Sequence, residues 1–178
     1  MLRTGRLVLT PLCADDQDAL SALLRKPEVR EFLLDGEVLS DAEVTEIIVN
    51  SEKDFAASNF GIWGLRLIGD EGLIGAGDLI GTAGLRRLDG GPELEVVYSL
   101  DPEHQGRGLA LEAATAVVDY AFEVLGRDRV LAEIDEGNAA SIALIERLGM
   151  RAFESVPGVL GPMVHYSLAN PRQATESA

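Results

Sequence analysis

Cysteine and histidine are scarce in this chain of 178 residues, which has one cysteine and two histidines. A lone cysteine, Cys13, excludes an internal disulfide and a cysteine-rich zinc site. The histidines, His104 and His165, are far apart in the sequence, and nothing around them indicates metal chemistry. We therefore expect no metal, and we interpret Cys13 as a small residue near a strand end rather than as a nucleophile.

Long apolar runs are also missing. The longest, such as the one at 47–49, are far short of the roughly 20 residues that a membrane-spanning helix needs. The first six residues include two arginines but no apolar block behind them, so no signal peptide is predicted. We expect a cytoplasmic protein without a membrane partner.

Basic residues are few, since 15 lysines and arginines face 30 aspartates and glutamates and the net charge is −15. No basic run is longer than the pair Arg86 and Arg87. Proteins that bind nucleic acid normally carry a basic patch, so no nucleic-acid partner is expected. The acidic surface mainly favours solubility, and it would also steer a cationic substrate towards the protein.

Enough apolar side chain is present for one core, because 47% of the residues are hydrophobic and the mean hydropathy is +0.12. The length fits one domain, which usually has about 100–200 residues. No linker rich in proline, glycine or serine divides the chain. We expect a single domain over residues 1–170 and a disordered tail over 171–178.

Hydrophobic periodicity predicts helices and strands in a mixed order. Strands are expected at 6–10, 61–67, 78–85, 93–100, 130–134 and 163–168. Helices are expected at 17–26, 28–32, 40–57, 108–125 and 138–148. The segment Gly72-Leu73-Ile74-Gly75 resembles Asp78-Leu79-Ile80-Gly81, and we interpret it as an enlarged hairpin connection. A mixed sheet with helices on both faces fits this order best.

The segment from Tyr98 to Ala110 carries the clearest chemical signal, because a strand leads through a glycine-containing loop into a helix. Small residues there let backbone N–H groups approach an anion, and the helix N-terminus adds about half a positive charge. The P-loop lysine is absent, and Leu111 stands where the Rossmann pattern has glycine or alanine. A pyrophosphate-binding loop of another kind is expected, with an ordinary tight turn as the alternative.

Two blocks of sequence resemble the GNAT (Gcn5-related N-acetyltransferase) superfamily. The first is Gln105-x-x-Gly108-x-Ala110, which is similar to the acetyl-CoA pyrophosphate loop of that family. The second is Asn138-x-x-Ser141-x-x-x-x-Glu146-Arg147-Leu148-Gly149-Met150. Together with Thr4-x-Arg6-Leu7-x-Leu9 near the start, they resemble the RimJ/RimL branch over about residues 3–168.

This resemblance implies an α+β fold of three layers, in which a twisted, mixed and mostly antiparallel sheet of about seven strands has helices on both faces. It implies acetyl-CoA as co-substrate, with direct transfer of the acetyl group to a primary amine. The acceptor is a protein N-terminus or a small-molecule amine, which an acidic cleft would favour if it is cationic. Family members often pair through the last strands, so a homodimer is a further expectation.

The resemblance also assigns residues to the cofactor. It places the pantetheine amides against the splayed strand edge at Tyr98, Ser99 and Leu100, and the pyrophosphate on Gln105, Gly106, Arg107, Gly108, Leu109 and Ala110. Arg147 or Arg151 would add charge. Asn138 would contact the pantetheine arm, and the same residue is suited to cap a helix.

Three functions are needed for the reaction: a base for the amine, a donor for the oxyanion and a proton for the CoA thiolate. Many relatives have a tyrosine seven residues after the asparagine, where this chain has Ile145, so Ser141 is the implied proton donor. Ser141 is equally explained as a first-turn helix residue. Glu95 and Glu133 are the candidate bases, with His104 a third candidate placed away from the acceptor.

Further expectations concern the acceptor. Strand alternation places Glu93 and Glu95 on one face, so that a carboxylate pair would line the cleft and raise one pKa. By resemblance, the strand around Trp63 and the helix over 40–57 form the acceptor walls. An acid found between the last two strands of some relatives is absent at 156–162, which weighs against a protein N-terminus as acceptor.

Two functions other than acetyl transfer are compatible with parts of the sequence. A non-catalytic module that binds acyl-CoA for sensing or regulation would keep the pyrophosphate loop and lack the acid–base residues. A Rossmann-type nucleotide-binding protein would bind NAD and not CoA.

Overall fold

The computed structural model describes residues 1–69 and 77–171. Eight strands lie in them: β1 Leu2–Arg3, β2 Leu7–Pro11, β3 Ile62–Leu67, β4 Gly81–Arg87, β5 Leu94–Leu100, β6 Arg129–Asp135, β7 Arg151–Pro157 and β8 Pro162–Ala169. Five α-helices accompany them: α1 Gln17–Leu24, α2 Pro27–Leu33, α3 Asp41–Ser58, α4 Leu109–Glu123 and α5 Ala139–Arg147. Short 3₁₀ turns at 14–16, 88–90 and 102–104 complete the described elements.

All eight strands belong to one sheet, in the order β1-β2-β3-β4-β5-β6-β8-β7. Neighbours are antiparallel except β5 and β6, which are parallel and pair at Glu95 and Leu131 near the start of both strands. By contrast, β4 and β5 stay paired from Gly81–Leu100 to Arg87–Leu94. Beyond the single pair, β5 and β6 part, and a cleft opens towards their carboxyl ends.

Hydrophobic side chains pack on both faces of the sheet. The adjacent residues Ile62 and Trp63 belong to different clusters, as expected for strand neighbours that point to opposite faces. On one face, α4 buries the side of the helix that carries Ala113, Ala114 and Val117. On the other face, α1 and α3 enclose a second cluster around Leu20 and Ile48.

The predicted α+β fold is confirmed, with eight strands where about seven were expected. The two strands that were not predicted have physical reasons. β1 has two residues, and β7 is an edge strand whose side chains are almost all exposed, so that neither shows an apolar alternation. β4 begins at Gly81, three residues later than expected.

Several predictions stay untested. The similar segment at 72–75 lies outside the described residues, as does all of the expected tail except residue 171. The division of the chain into one domain and a tail therefore remains a prediction. No helix in residues 1–69 and 77–171 has the length and apolar character needed to cross a membrane.

Candidate active site

A cleft of about 680 Å³ lies where β5 and β6 separate. The carboxyl-terminal part of β5 and the loop before α4 form one side, and the first turns of α5 form another. Helix α2 contributes Glu28, Val29 and Phe32 to the remaining side of the cleft. The loop block that ends at Ala110 and the block that begins at Asn138 thus face the same cavity.

The loop before α4 is built to bind an anion. Gly106 and Gly108 have φ values of 71° and 76°, in the left-handed region that favours glycine. The Gln105 side chain donates from Nε2 to the carbonyl of Leu100, 3.1 Å away, and so ties the loop to the end of β5. In the described part of the chain, no hydrogen bond has a backbone N–H of residues 106–111 as its donor. These N–H groups are available to a ligand at a helix N-terminus.

Asn138 caps helix α5, because its Oδ1 accepts the backbone N–H of Ser141 at 3.1 Å. The Tyr98 hydroxyl lies 3.5 Å from the carbonyl oxygen of Ser141. Burial raises the pKa of Tyr98 to about 12, against a smaller opposing effect of that contact. Tyr98 is therefore a protonated phenol at neutral pH. Ile145, at the position of the missing tyrosine, is fully buried in the core.

Glu95 is a buried carboxylate, with 3% of its surface exposed. Its Oε1 accepts a hydrogen bond from Nε of Arg86, which lies directly opposite on β4, at 2.6 Å. Burial raises the pKa of Glu95 and is the largest effect; Arg86 lowers that pKa, and the charge of Glu133 raises it further. The net shift is upward, so Glu95 is a stronger base than an exposed carboxylate.

Glu133 lines the same cleft from β6. Its Oε1 lies 2.8 Å from Nε2 of His165, its cross-strand neighbour on β8, and both side chains are 14% exposed. On the far side of the imidazole, Nδ1 lies 3.6 Å from Glu154 of β7. His165 thus limits the positions that the Glu133 side chain can adopt.

The expected pairing of Glu93 with Glu95 in the cleft is wrong. Glu93 is partly exposed outside the cleft and binds Arg129, whose Nη2 lies 2.8 Å from its Oε1. The carboxylates that share the cleft are Glu95 and Glu133, from the two strands that part there. Strand alternation fixes a face of the sheet but not the position along it, and Glu93 lies before the start of β5.

The elements expected to form the acceptor walls do not line this cleft in the described part of the chain. The Trp63 side chain is buried in the core, in edge-to-face contact with Phe55 of α3 and Tyr120 of α4. Neither Trp63 nor α3 contributes to the described lining of the cleft. On that side of the cleft the lining residues come from α2 and from Asp35, which follows it. An ion pair of 2.5 Å between Lys26 and Asp101 joins the start of α2 to the loop after β5.

Some functional candidates were missed in the sequence. Arg86 gave no signal because its contact with Glu95 depends on the β4–β5 register. His165 was named as one of the two histidines and had no assigned partner. Of the arginines expected to add charge, Arg147 and Arg107 line a groove beside the loop, whereas Arg151 lies on edge strand β7. His104 is outside the described lining of the cleft.

Comparison with known proteins identifies the family. A family model described as an acetyltransferase (GNAT) domain matches residues 6–151, most of the chain. The chain belongs to the GNAT acetyltransferase family. The predicted superfamily and the predicted enzyme class, an acetyl-CoA-dependent N-acetyltransferase, are thereby confirmed.

Relatives of this GNAT protein match along nearly its whole length. The uncharacterised N-acetyltransferase YoaA of Bacillus subtilis is 29% identical over 188 residues, which cover 97% of this chain and 98% of that protein. The crystal structure of an acetyltransferase from Agrobacterium tumefaciens has a TM-score of 0.79 at 27% identity, covering 94% and 92% of the two chains. A spermidine N-acetyltransferase from Vibrio cholerae, solved with CoA and spermine, has the same fold with a TM-score of 0.73 at 17% identity, covering 94% and 97%.

Proposed function

We propose that this protein transfers the acetyl group of acetyl-CoA to a primary amine by direct attack on the thioester. One observation carries the proposal: a loop with free backbone N–H groups and a buried pair of carboxylates face the same cleft. The loop suits a diphosphate, and the carboxylates suit an amine that must lose a proton. One cavity therefore carries N–H groups suited to the diphosphate and carboxylates suited to the amine.

The cofactor end of the cleft would be held mostly by backbone. Residues 105–110 would take the diphosphate, and the free edge of β5 at Tyr98, Ser99 and Leu100 would pair with the pantetheine amides. The Ser99 side chain is turned towards β4, where its hydroxyl lies 2.8 Å from that of Thr82, so its backbone carries this role. Asn138 uses Oδ1 as the helix cap, and its side-chain N–H₂ remains as a donor to the pantetheine arm.

The chemistry divides between the two sides of the cleft. Acetyl-CoA supplies a thioester carbonyl whose C–S bond breaks as the amine nitrogen bonds to its carbon. Glu95 accepts the proton that the amine releases, and Glu133 keeps a second negative charge nearby that favours protonation of Glu95. Ser141 passes a proton to the CoA thiolate, giving up its hydroxyl proton as it accepts another from solvent, and Tyr98 stays protonated beside it.

We propose a cationic amine as acceptor, because the acceptor side of the cleft carries an excess of carboxylates. Glu28, Asp35 and Asp135 line it in addition to the two glutamates, against Arg86 and Arg147. Burial and the nearby charge of Asp35 raise the pKa of Asp135, which a second positive charge on the acceptor would reverse. The acceptor of the similarly folded spermidine N-acetyltransferase is of this type.

A matched pair of acceptors tests this proposal. We expect thiol release from acetyl-CoA with 1,4-diaminobutane to exceed that with butylamine by at least about tenfold in kcat/KM, since one close charge pair contributes at least about 1.4 kcal/mol. The two amines have the same chain length, so they separate charge from fit. Equal rates would contradict an acceptor that is bound through a second positive charge, and acetylation of peptide N-termini alone would replace it with a protein substrate.

The pH dependence of kcat should follow the pKa of Glu95, which Arg86 influences. Arg86 lowers the pKa of Glu95, so Arg86→Gln raises that pKa further, and the carboxylate forms only at higher pH. We expect the acid limb of the kcat profile to move to higher pH in this variant. Arg87→Gln is the control, because Arg87 lies over Phe60 at the end of β4. An acid limb that moves equally in both variants would assign it to another group.

The expected homodimer stays a prediction. The edge strand β7 and the hairpin that follows it expose Phe153, Val159 and Leu160, which would be covered by pairing through the last strands.

A further inference from the structure

Arg6, between β1 and β2, contacts the anion-binding loop from outside the cleft. One of its guanidinium nitrogens, Nη1, donates to the carbonyl oxygen of Arg107 at 2.8 Å. Its Nε donates to Oε2 of Glu112 at 2.7 Å, and Nη2 lies 2.6 Å from the same oxygen. One side chain thus joins the loop to the first turn of α4.

Glu112 completes the connection back to the N-terminal segment. Its Oε1 accepts the backbone N–H of Arg6 at 2.9 Å and the hydroxyl of Thr4 at 2.5 Å. Burial raises the pKa of Glu112, but the hydrogen bonds from Thr4 and Arg6 outweigh burial, so the net pKa lies below its ordinary value. Glu112 is therefore ionised at neutral pH and holds Arg6 with charge-assisted hydrogen bonds.

The contact with the Arg107 carbonyl decides which way the next N–H points. The carbonyl of Arg107 and the N–H of Gly108 belong to one trans peptide unit, and in such a unit the two groups point in opposite directions. Because Arg6 holds the carbonyl on its own side, the Gly108 N–H is directed to the other side of the loop. Gly108, at one end of this peptide, has no side chain to prevent the peptide from turning over.

We infer that Arg6 and Glu112 are positioning residues that preset the loop for the diphosphate of acetyl-CoA. Together with Thr4 they form a set of contacts, called the clamp, that orders the loop before the ligand binds. Ordering a loop in advance removes part of the entropy cost of binding. The inference rests on the proposed function, since it takes the loop to be the diphosphate site.

Substitution of Glu112 separates two explanations, because attraction by charge and positioning by the clamp predict opposite changes in CoA binding. Arg6 lines a groove beside the loop with Arg3, Arg107 and Arg147, so attraction of the ligand to positive charge is the competing explanation. Glu112→Gln removes a negative charge near that groove, which by charge alone tightens the binding of an anion. The same change weakens the hold on Arg6, which by the clamp loosens that binding.

The test is calorimetric titration of the full chain with CoA, which needs no acceptor. We expect Glu112→Gln and Arg6→Gln each to raise the Kd for CoA about tenfold, consistent with the loss of one charge-assisted hydrogen bond. Arg6→Lys, which keeps the charge but cannot contact the carbonyl and the carboxylate with one planar group, should resemble Arg6→Gln. Arg25→Gln, which breaks an exposed ion pair with Asp41 on the N-terminal helices, is the control and should bind as the unaltered protein does.

Urea unfolding of each variant identifies any that fails to fold. Thr4→Val is a further variant, which weakens the clamp without changing a charge. CoA binding by Glu112→Gln that equals or exceeds that of the unaltered protein would overturn the clamp. Full binding by Arg6→Lys would assign Arg6 to charge alone. No CoA binding by the unaltered protein would instead overturn the proposed function.

Discussion

Glu95→Gln should lower kcat by at least about 100-fold, within the range of about 10²–10⁴ that general acid–base catalysis contributes. Glutamine keeps the shape of the side chain and a hydrogen-bond acceptor for Arg86, but it cannot take a proton from the amine. The KM for acetyl-CoA should change little, because none of the described hydrogen bonds joins Glu95 to the diphosphate loop. Steady-state thiol release at saturating acetyl-CoA measures both constants.

Two isosteric variants serve as controls for this result. Glu93→Gln changes the same residue type two positions earlier, outside the cleft, and should retain nearly full kcat. Glu133→Gln removes the charge that raises the pKa of Glu95, so the acid limb should move to lower pH. A kcat that is unchanged in Glu95→Gln but falls 100-fold in Glu133→Gln would transfer the role of base to Glu133.

Ala110→Pro should raise the Kd for CoA by about 10- to 100-fold. Ala110 is the second residue of α4, and proline there removes one N–H donor that the helix does not use. A hydrogen bond to a charged group contributes about 1.5–3 kcal/mol, which gives this range. Calorimetric titration with CoA measures the change.

The matched control is Ala42→Pro, at the second position of α3 and away from the cleft. Both substitutions place proline after a helical residue, so they carry a similar conformational cost. We expect Ala42→Pro to bind CoA as the unaltered protein does. Equal loss of binding in both variants would show a general helix effect, and no loss in Ala110→Pro would remove this N–H from the binding site.

Local patterns were sufficient to predict the family and most of the fold. The loop block from Gln105 to Ala110 and the block from Asn138 to Met150 each lie within one stretch of chain, so their spacing is visible in the sequence. Helix α3 begins at Asp41, behind a capping box of Ser40 and Glu43, next to the start predicted at residue 40. β7 was missed because an exposed edge strand buries no regular set of side chains.

The site depends more on contacts between distant segments, and these were only partly predicted. Glu95 and Glu133 were both named, but their common cleft arises from the separation of two parallel strands after one pair. Trp63 was expected at the acceptor wall, yet an aromatic residue on a strand is equally suited to the core. Its contacts with Phe55 and Tyr120 place its side chain in the core. The contact of Arg6 with Arg107 spans about a hundred residues and leaves no local pattern.

The proposed activity requires one cleft to bind acetyl-CoA and to deliver its acetyl group to an amine. The most direct measurement is release of free thiol from acetyl-CoA in the presence of pooled polyamines, aminoglycosides, amino acids and peptides, followed by mass spectrometry of the amine. We predict thiol release that requires an amine, equal in amount to the acetylated product, and strongest with a cationic pool. Binding of CoA without acetylation in any pool would contradict the claim and favour an acyl-CoA-binding module.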